Sequence, residues 1–202
     1  SVIEVIKGKS LTLTDCKGGG NISHKGTYSA GHGITTAGTF NMYGGNITNN
    51  FTFGVTNNIA DKANNGGGVF IEPNCTMNMY GGTITNNKDV SGKDSSTGEA
   101  IEGHGGGVYV SKDSEFNMYG GEISGNQSIS DWYSYGGGVY VDYRNSIFNM
   151  YGGAITGNTA KTGGGIAVRD NATVTIGGAP IIRYNTGTGT TIPAPDIYIT
   201  GS

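Results

Sequence analysis

The sequence predicts an all-β protein wound as a right-handed parallel β-helix of about six coils, with three short strands in each coil. Three observations predict this fold: two glycine-rich motifs recur along the chain, apolar and polar residues alternate inside them, and the distance between copies varies. Glycine occupies 39 of the 202 positions, and an interior glycine weakens a helix by about 1 kcal/mol relative to alanine. The composition therefore argues against a helical protein.

The first motif reads Phe-Asn-Met-Tyr-Gly-Gly, and its clear and fainter copies lie at 40–49, 77–86, 116–125, 148–157, 11–14 and 174–178. The second is a glycine triplet followed by alternating residues; its copies lie at 66–71, 105–110, 136–141 and 163–168, with a degenerate form at 31–34. Atypical end copies are expected of the caps of a stacked array. We predict one domain, with coils at approximately 1–30, 31–65, 66–104, 105–135, 136–162 and 163–202.

Alternation assigns the two faces of each strand. In the copy that begins at Phe116, Phe116 and Met118 face one way, and Asn117 and Tyr119 face the other. The Gly-Gly pair turns the chain without folding it back, so equivalent strands stack in parallel about 4.8 Å apart, and such crossovers are nearly always right-handed. The inward side chains predicted for two central coils are Val108, Val110, Phe116, Met118, Ile123, Val139, Val141, Phe148, Met150 and Ile155.

The variable spacing between copies disfavours solenoids of nearly constant period, such as leucine-rich repeats and calcium-binding nonapeptide rolls. A β-helix tolerates the variation because one corner can carry loops of any length. Here that corner follows the Ile-Thr pair, and the predicted loops cover 50–65, 87–104, 127–135 and 159–162.

Charge and hydropathy narrow the classes of partner. Twelve Lys and Arg residues against 15 Asp and Glu residues give a net charge of −3, with no basic stripe, so we expect no nucleic-acid binding. No apolar run approaches the roughly 20 residues of a membrane span, so we expect no membrane insertion. We also expect no cofactor. Cys16 and Cys75 lie two predicted coils apart, about 9.6 Å, which is too far for a disulfide. Oligomeric state is left open.

The strings FNMYGGxITxN and GGGVYV resemble β-helix repeats in large cell-surface and adhesin-like proteins of Gram-positive gut bacteria. A weaker similarity links 152–155 to the GGAI element of polymorphic outer-membrane protein repeats. The first resemblance covers about residues 10–199. It implies an extracellular module associated with the cell wall or surface, excised from a larger protein, and it transfers no catalytic residues.

Two tripeptides, 31–33 and 103–105, resemble the Gly-His-Gly element of polygalacturonases. That family also needs clustered aspartates as acid and base, together with Asn-Thr-Asp, Asp-Asp and Arg-Ile-Lys elements that do not occur here. We interpret His32 and His104 as coincidental and assign no catalytic residue.

Acidic residues gather in the 87–104 loop, where their oxygens would suit Ca²⁺, but their spacing matches no ligand motif. We expect a solvated polar loop and assign no metal ligand, with cation binding left open. Asp142 and Arg169 occupy equivalent positions one coil apart, which predicts a surface ion pair worth about 0–1 kcal/mol. The acidic residues of the loop are Asp89, Asp94, Glu99 and Glu102.

Outward aromatic residues are the best candidates for ligand binding. One predicted column contains Tyr43, Tyr80, Tyr119 and Tyr151, with a column of asparagines beside it, and a second column contains Phe70, Tyr109 and Tyr140. Such rings can stabilise each other, or offer apolar faces and hydroxyl groups to sugars. The loop at 130–135 adds the single tryptophan, and its aromatic residues are Trp132, Tyr133 and Tyr135.

The leading hypothesis from sequence is a non-enzymatic extracellular surface module. It binds a polysaccharide, or a host surface glycan or protein, through these aromatic residues, or it serves as a stalk between other domains. The alternative is a polysaccharide lyase or glycoside hydrolase that works between the 87–104 and 127–135 loops, with Glu102 or Asp131 as candidate acid or base.

Overall fold

The computed structural model describes residues 1–16, 18–24, 31–54, 65–94, 97–191 and 193–201. Within these ranges the chain forms short strands joined by turns, and no helix there could span a bilayer. The strands pair in parallel with their equivalents in neighbouring coils and build four long sheets, named A to D, and one short sheet, E. The protein is a parallel β-helix, which confirms the predicted fold class.

The strands of sheet A follow the glycine triplets and are Ile3–Val5, Ile34–Thr36, Val69–Ile71, Val108–Val110, Val139–Val141, Ile166–Val168 and Ile197–Ile199. Those of sheet B carry the Phe-Asn-Met pattern and are Ser10–Leu13, Thr39–Met42, Thr76–Met79, Glu115–Met118, Ile147–Met150 and Thr173–Ile176.

The strands of sheet C follow the Gly-Gly turn and are Asn21–Ile22, Asn46–Thr48, Thr83–Thr85, Glu122–Ser124, Ala154–Thr156 and Ile181–Arg183. Those of sheet D are Phe51–Gly54, Lys88–Ser91, Gln127–Ser130, Thr159–Ala160 and Thr186–Gly187. Sheet E pairs Gly103–His104 with Ser134–Tyr135.

Sheet D shows that the prediction of three strands per coil was wrong, because a fourth strand forms where the sequence predicted only loop. Most of its inward positions are polar, so hydrophobic alternation did not indicate the strand. Asp89 is fully buried there, where it accepts hydrogen bonds from Thr52 Oγ1 at 2.9 Å and from Ser128 Oγ at 3.4 Å. The 87–104 loop is therefore not a simple solvated loop at its start. Part of the predicted 50–65 loop, residues 55–64, lies outside the described residues.

The core runs through the centre of the coils and contains all ten predicted inward residues, each fully buried. Register is strict: Phe116 pairs with Phe148 across sheet B, and their rings stack at 4.8 Å between centroids. Period-two alternation therefore predicted the core correctly, because one face of each strand points at the axis of the coil.

Glycine is required where neighbouring coils come closest. Gly121 in the Gly-Gly turn has φ +88°, and a Cβ there would lie 2.7 Å from the carbonyl oxygen of Gly82. In the triplet, a Cβ on Gly106 would lie 2.4 Å from the backbone of Gln127 in sheet D. The recurring glycines therefore allow one coil to lie directly on the next.

A buried ladder of side-chain amides lies at the turn between sheets C and D. Asn87 Nδ2 donates to Asn126 Oδ1 at 3.0 Å and to the carbonyl oxygen of Ile47 at 2.9 Å, and the other members repeat this pattern. The ladder satisfies backbone groups that would otherwise be buried without partners, so it ties successive coils together. Its members are Asn50, Asn87, Asn126, Asn158 and Asn185, and Asp196 accepts the last bond.

The two cysteines occupy different environments. Cys16 is exposed, Cys75 is buried, and no disulfide links them, as their predicted separation requires. The Cys75 thiol lies 3.5 Å from the carbonyl oxygen of Pro73.

Candidate functional site

The first aromatic column is on the surface, as predicted. Its tyrosines follow the sheet B strands and are 42% to 55% exposed. Successive rings stack nearly in parallel, with centroids 4.5, 5.0 and 5.5 Å apart. We call this column the tyrosine ladder; its members are Tyr43, Tyr80, Tyr119 and Tyr151.

Stacking limits what the tyrosine ladder can offer a ligand. Each inner ring has a neighbouring ring on both faces, so its hydroxyl group and outer edge face solvent and its flat faces do not. Beside the rings, the amides of Asn78, Asn117 and Asn149 donate to the preceding asparagine at 2.9 to 3.1 Å. The tyrosine rings therefore contact mainly one another, and the asparagine amides bond mainly to one another. Few of their binding groups are left for a ligand, which favours a stabilising role for both columns.

The second aromatic column is outward with respect to the core, but it is not on the surface, and the prediction of a second displayed strip was wrong. Phe70, Tyr109 and Tyr140 are only 6%, 8% and 2% exposed. They form a separate apolar cluster with Ala167, covered in part by Tyr135 and Tyr198. Tyr140 was predicted to contact ligand, and this burial removes it from reach. We call these three rings the buried column.

The hydroxyl groups of the buried column converge on Asp142. Tyr109 donates to Asp142 Oδ2, and Tyr140 donates to Asp142 Oδ1 at 3.1 Å. Burial raises the pKa of Asp142, while the hydrogen bond from Tyr109 opposes that shift. Burial, followed by the charge of Asp142, raises the pKa of both tyrosines well above the usual value. These phenols remain protonated and act as hydrogen-bond donors.

Arg169 does not pair with Asp142, so the predicted surface ion pair was wrong. Its Nη1 donates instead to Glu102 Oε2 at 3.0 Å, and His104 Nε2 lies 3.3 Å from the same oxygen. The hydrogen bond from His104 lowers the pKa of Glu102, so this carboxylate is ionised at neutral pH. Burial alone would lower the pKa of Arg169, but nearby Tyr140 and Glu102 raise it overall. We call Glu102 and Arg169 the charged pair.

His104 makes contacts that the sequence did not indicate. Its Nδ1 lies 2.9 Å from Asn65 Oδ1, its backbone N–H donates to Asp89 Oδ2 at 2.6 Å, and its ring lies 4.5 Å from that of Tyr140. Burial raises the pKa of Asp89 well above the usual value, and the hydrogen bond from Thr52 opposes this shift. His104 therefore connects Asp89 of sheet D with Tyr140 of the buried column.

Beside the charged pair lies a group of rings that we call the aromatic platform: Trp132, Tyr133 and Tyr135. Trp132 is 54% exposed and Tyr133 is 42% exposed, with their centroids 5.0 Å apart. Tyr135, the third ring, lies 6.1 Å from Tyr133 and is partly buried. The Trp132 ring is therefore open to solvent.

Lys161 holds the loop that carries the platform. Its Nζ donates to the backbone carbonyl oxygens of Asp131 and Trp132, each at 2.7 Å. The Trp132 N–H also donates to Ser130 Oγ at 3.1 Å. Three hydrogen bonds at consecutive residues give this exposed loop a defined backbone geometry. Binding at a preorganised loop costs less conformational entropy than binding at a loose one.

The backbone joins the platform directly to the charged pair. Gly103 N–H donates to the carbonyl oxygen of Tyr133 at 2.9 Å, and His104 is paired with Tyr135 in sheet E. The guanidinium carbon of Arg169 lies 4.9 Å from the centre of the Tyr135 ring. One surface therefore offers exposed ring faces, a carboxylate and a guanidinium side by side, and these are the groups that sugars contact in proteins.

The remaining acidic residues of the 87–104 loop do not join this site as metal ligands. Asp94 is buried, and its Oδ1 accepts from Thr97 N–H at 3.0 Å in a local turn, while Glu99 is exposed. Across the described ranges, no group of three His, Cys, Asp or Glu side chains is placed to hold a metal ion. A separate cleft of about 760 Å³ lies at the corner between sheets A and B, where Lys7, Lys9 and Glu72 line it.

The site thus brings together the aromatic platform, which the sequence predicted as a candidate binding loop, and Glu102, which it predicted as a candidate acid or base. Glu102 reaches its position because sheet E pairs the two loops, and nothing in the local pattern indicated that pairing. Arg169 comes from a third coil and is separated from Glu102 by 67 positions, so no spacing rule could identify the contact. Comparison with protein-family models, with curated proteins and with solved structures finds no match to this chain.

Proposed function

We propose that the protein is a non-enzymatic, extracellular surface module that binds a glycan at the aromatic platform. The observation that carries this proposal is the pair of solvent-exposed rings, Trp132 and Tyr133, held by Lys161 beside the charged pair. Sugars present apolar faces and hydroxyl edges, which suit ring faces next to a fixed hydrogen-bond donor and acceptor. The extracellular placement rests on the repeat resemblance.

The tyrosine ladder has a different part in this proposal. Its inner rings use their faces on one another, so it stabilises and stiffens the surface and offers only edges and hydroxyl groups to a ligand. A stalk that separates other domains would need the same stiffness. The spacer function is therefore what remains if no glycan binds.

Binding can be measured without a label because Trp132 is the only tryptophan in the chain. We expect its fluorescence to change when a glycan selected on an array is added. Trp132→Ala and Tyr133→Ala should each weaken binding on that array by about tenfold or more, which corresponds to about 1.4 kcal/mol of lost contact. Tyr184→Ala is the matched control, because Tyr184 is 74% exposed and is not part of the platform.

Binding that is equally strong in Trp132→Ala and in the control would refute the platform as the site. No binding to any saccharide would leave the spacer function. Circular dichroism should show unchanged β-structure in all three variants, because each substituted ring is exposed.

The enzymatic alternative needs two carboxyl groups that face one glycosidic bond, or a base beside an acidic sugar. Asp142 is buried with both of its oxygens bonded to tyrosines, so it does not serve as the second carboxyl group beside Glu102, and Asp131 is the other candidate. Incubation with neutral and acidic polysaccharides, followed by assays of reducing ends and unsaturated products, tests this point. Turnover abolished by Glu102→Gln or Asp131→Asn would establish the enzyme instead.

A further inference from the structure

The charged pair has hydrogen-bonding atoms left over. Glu102 uses Oε2 for both of its partners, and Arg169 uses only Nη1. Within the described part of the chain, neither Glu102 Oε1 nor Arg169 Nη2 is hydrogen-bonded. Both side chains reach solvent, with 30% and 28% of their surfaces accessible. The surface therefore presents one strong acceptor and one strong donor next to each other.

Charge around the platform is balanced. Glu102 neutralises Arg169 at 3.0 Å, and Lys161, whose Nζ donates to the backbone carbonyl oxygen of Asp131 at 2.7 Å, lies beside a loop that also carries the Asp131 carboxylate. Behind the charged pair lies the carboxyl group of Asp142, and His104 contacts Glu102. A ligand that carried its own negative charge would have to compete with Glu102 for Arg169, and a second cation at this surface, Lys161, already donates to two backbone carbonyl oxygens. Anion recognition normally depends on an arginine or lysine whose charge is uncompensated.

We propose that the platform selects neutral saccharides with two adjacent hydroxyl groups, and that the charged pair determines this selection. One hydroxyl donates to Glu102 Oε1 and its neighbour accepts from Arg169 Nη2, while the apolar face of the sugar lies on Trp132 or Tyr133. Hydrogen bonds to ionised groups are stronger than those between neutral groups. Uronates and sialylated glycans are excluded because a carboxylate at Arg169 Nη2 would lie beside the negative charge of Glu102, which already neutralises the guanidinium. This inference rests on the proposed function and adds the ligand class to it.

The decisive experiment changes the charge of the pair. Trp132 fluorescence is titrated with neutral xylo-, manno- and gluco-oligosaccharides and with oligogalacturonates, for the unchanged protein and for Glu102→Gln and Glu102→Ala. The unchanged protein should bind a neutral oligosaccharide at least about tenfold more tightly than any oligogalacturonate, with little dependence on salt. Both variants leave Arg169 uncompensated, and Glu102→Ala also leaves room for a carboxylate. They should lose about tenfold in neutral binding and gain measurable, salt-sensitive uronate binding.

Two further variants separate the pair from general charge effects. Glu99→Gln removes the same charge from the same loop at an exposed position outside the pair, and should change neither affinity. Arg169→Gln should lose neutral binding and gain no uronate binding. Stronger uronate than neutral binding by the unchanged protein would overturn the inference. An unchanged preference in both Glu102 variants would also overturn it. If Trp132→Ala abolished binding on the glycan array in that case, the proposed function would stand without the inference.

Discussion

The tyrosine ladder and the buried column have the same repeat spacing and opposite surroundings. Both consist of aromatic residues that point away from the core, stacked 4.5 to 5.5 Å apart on successive coils. Tyr119 is 45% exposed, whereas Tyr140 is 2% exposed. The difference comes from what covers each column: sheet E, Tyr198 and the charged pair lie beside or over the buried column. Among the described residues nothing comparable covers the ladder, whose rings are 42% to 55% exposed.

The side of the strand on which a residue lies and its exposure to solvent are therefore two separate properties. Alternation decides which side of a strand a residue occupies, but coverage by other segments decides whether solvent reaches it. The buried column is covered and forms a second hydrophobic cluster, whose tyrosine hydroxyl groups donate to Asp142. Where no cover exists, the rings protect one another by stacking.

The largest expected effect tests the burial difference directly. Tyr140→Ala removes a ring from the buried column and leaves a cavity, so we expect it to lower the free energy of unfolding by about 3–5 kcal/mol. Tyr119→Ala removes a ring from the ladder, and the expected loss is only about 1 kcal/mol. The free energies of unfolding of both variants are measured by urea unfolding and compared. Equal losses would mean that coverage does not distinguish the two columns.

A smaller effect should appear in the pH dependence of stability. Because burial raises the pKa of Asp142 in the folded state, the unfolded chain releases its proton first as pH rises, from about 3.9 upward. Stability from this group is therefore fully present at lower pH and is lost as pH rises through the raised pKa. Asp142→Asn should remove that loss.

Urea unfolding of both proteins from acid to neutral pH measures this contribution as the difference between the two curves. The difference isolates Asp142 because Glu102, whose pKa is lowered, contributes the opposite slope in both proteins. Curves that stay parallel across this range would show that Asp142 is not perturbed by burial.

The smallest perturbation is chemical modification under native conditions. Nitration should reach Tyr43, Tyr80, Tyr119 and Tyr151 and spare Tyr109 and Tyr140, because only the first four are exposed. Peptide mass mapping locates the nitro groups. Modification of Tyr140 at the same rate as Tyr119 would indicate that the cover over the buried column opens readily.

Much of the fold could be predicted because it depends on local repetition. The residues at Phe116, Phe148 and their equivalents repeat at every coil, so a single alignment of copies placed them in one column of the core. The prediction failed in sheet D because Thr52, Asp89 and Ser128 are polar residues at inward positions. Hydrophobic alternation cannot report a strand whose inward side chains bond to one another.

The candidate site could be predicted only in part. Trp132, Tyr133 and Tyr135 stood out as an aromatic loop, but their neighbours Glu102 and Arg169 did not. Arg169 was assigned to Asp142 because the two occupy equivalent positions on adjacent coils. The tyrosine hydroxyls donate to Asp142 instead, and Arg169 donates to Glu102.

The sequence by itself determined the coil, its inward residues and the positions of its glycine turns, because each follows from a period of two within strands and from contacts between equivalent residues. Only the tertiary structure decided which outward residues are buried, which carboxylate meets which cation, and that the aromatic platform adjoins the charged pair. Those outcomes depend on loops that do not repeat, and their side chains meet partners from other coils at separations that no local pattern encodes.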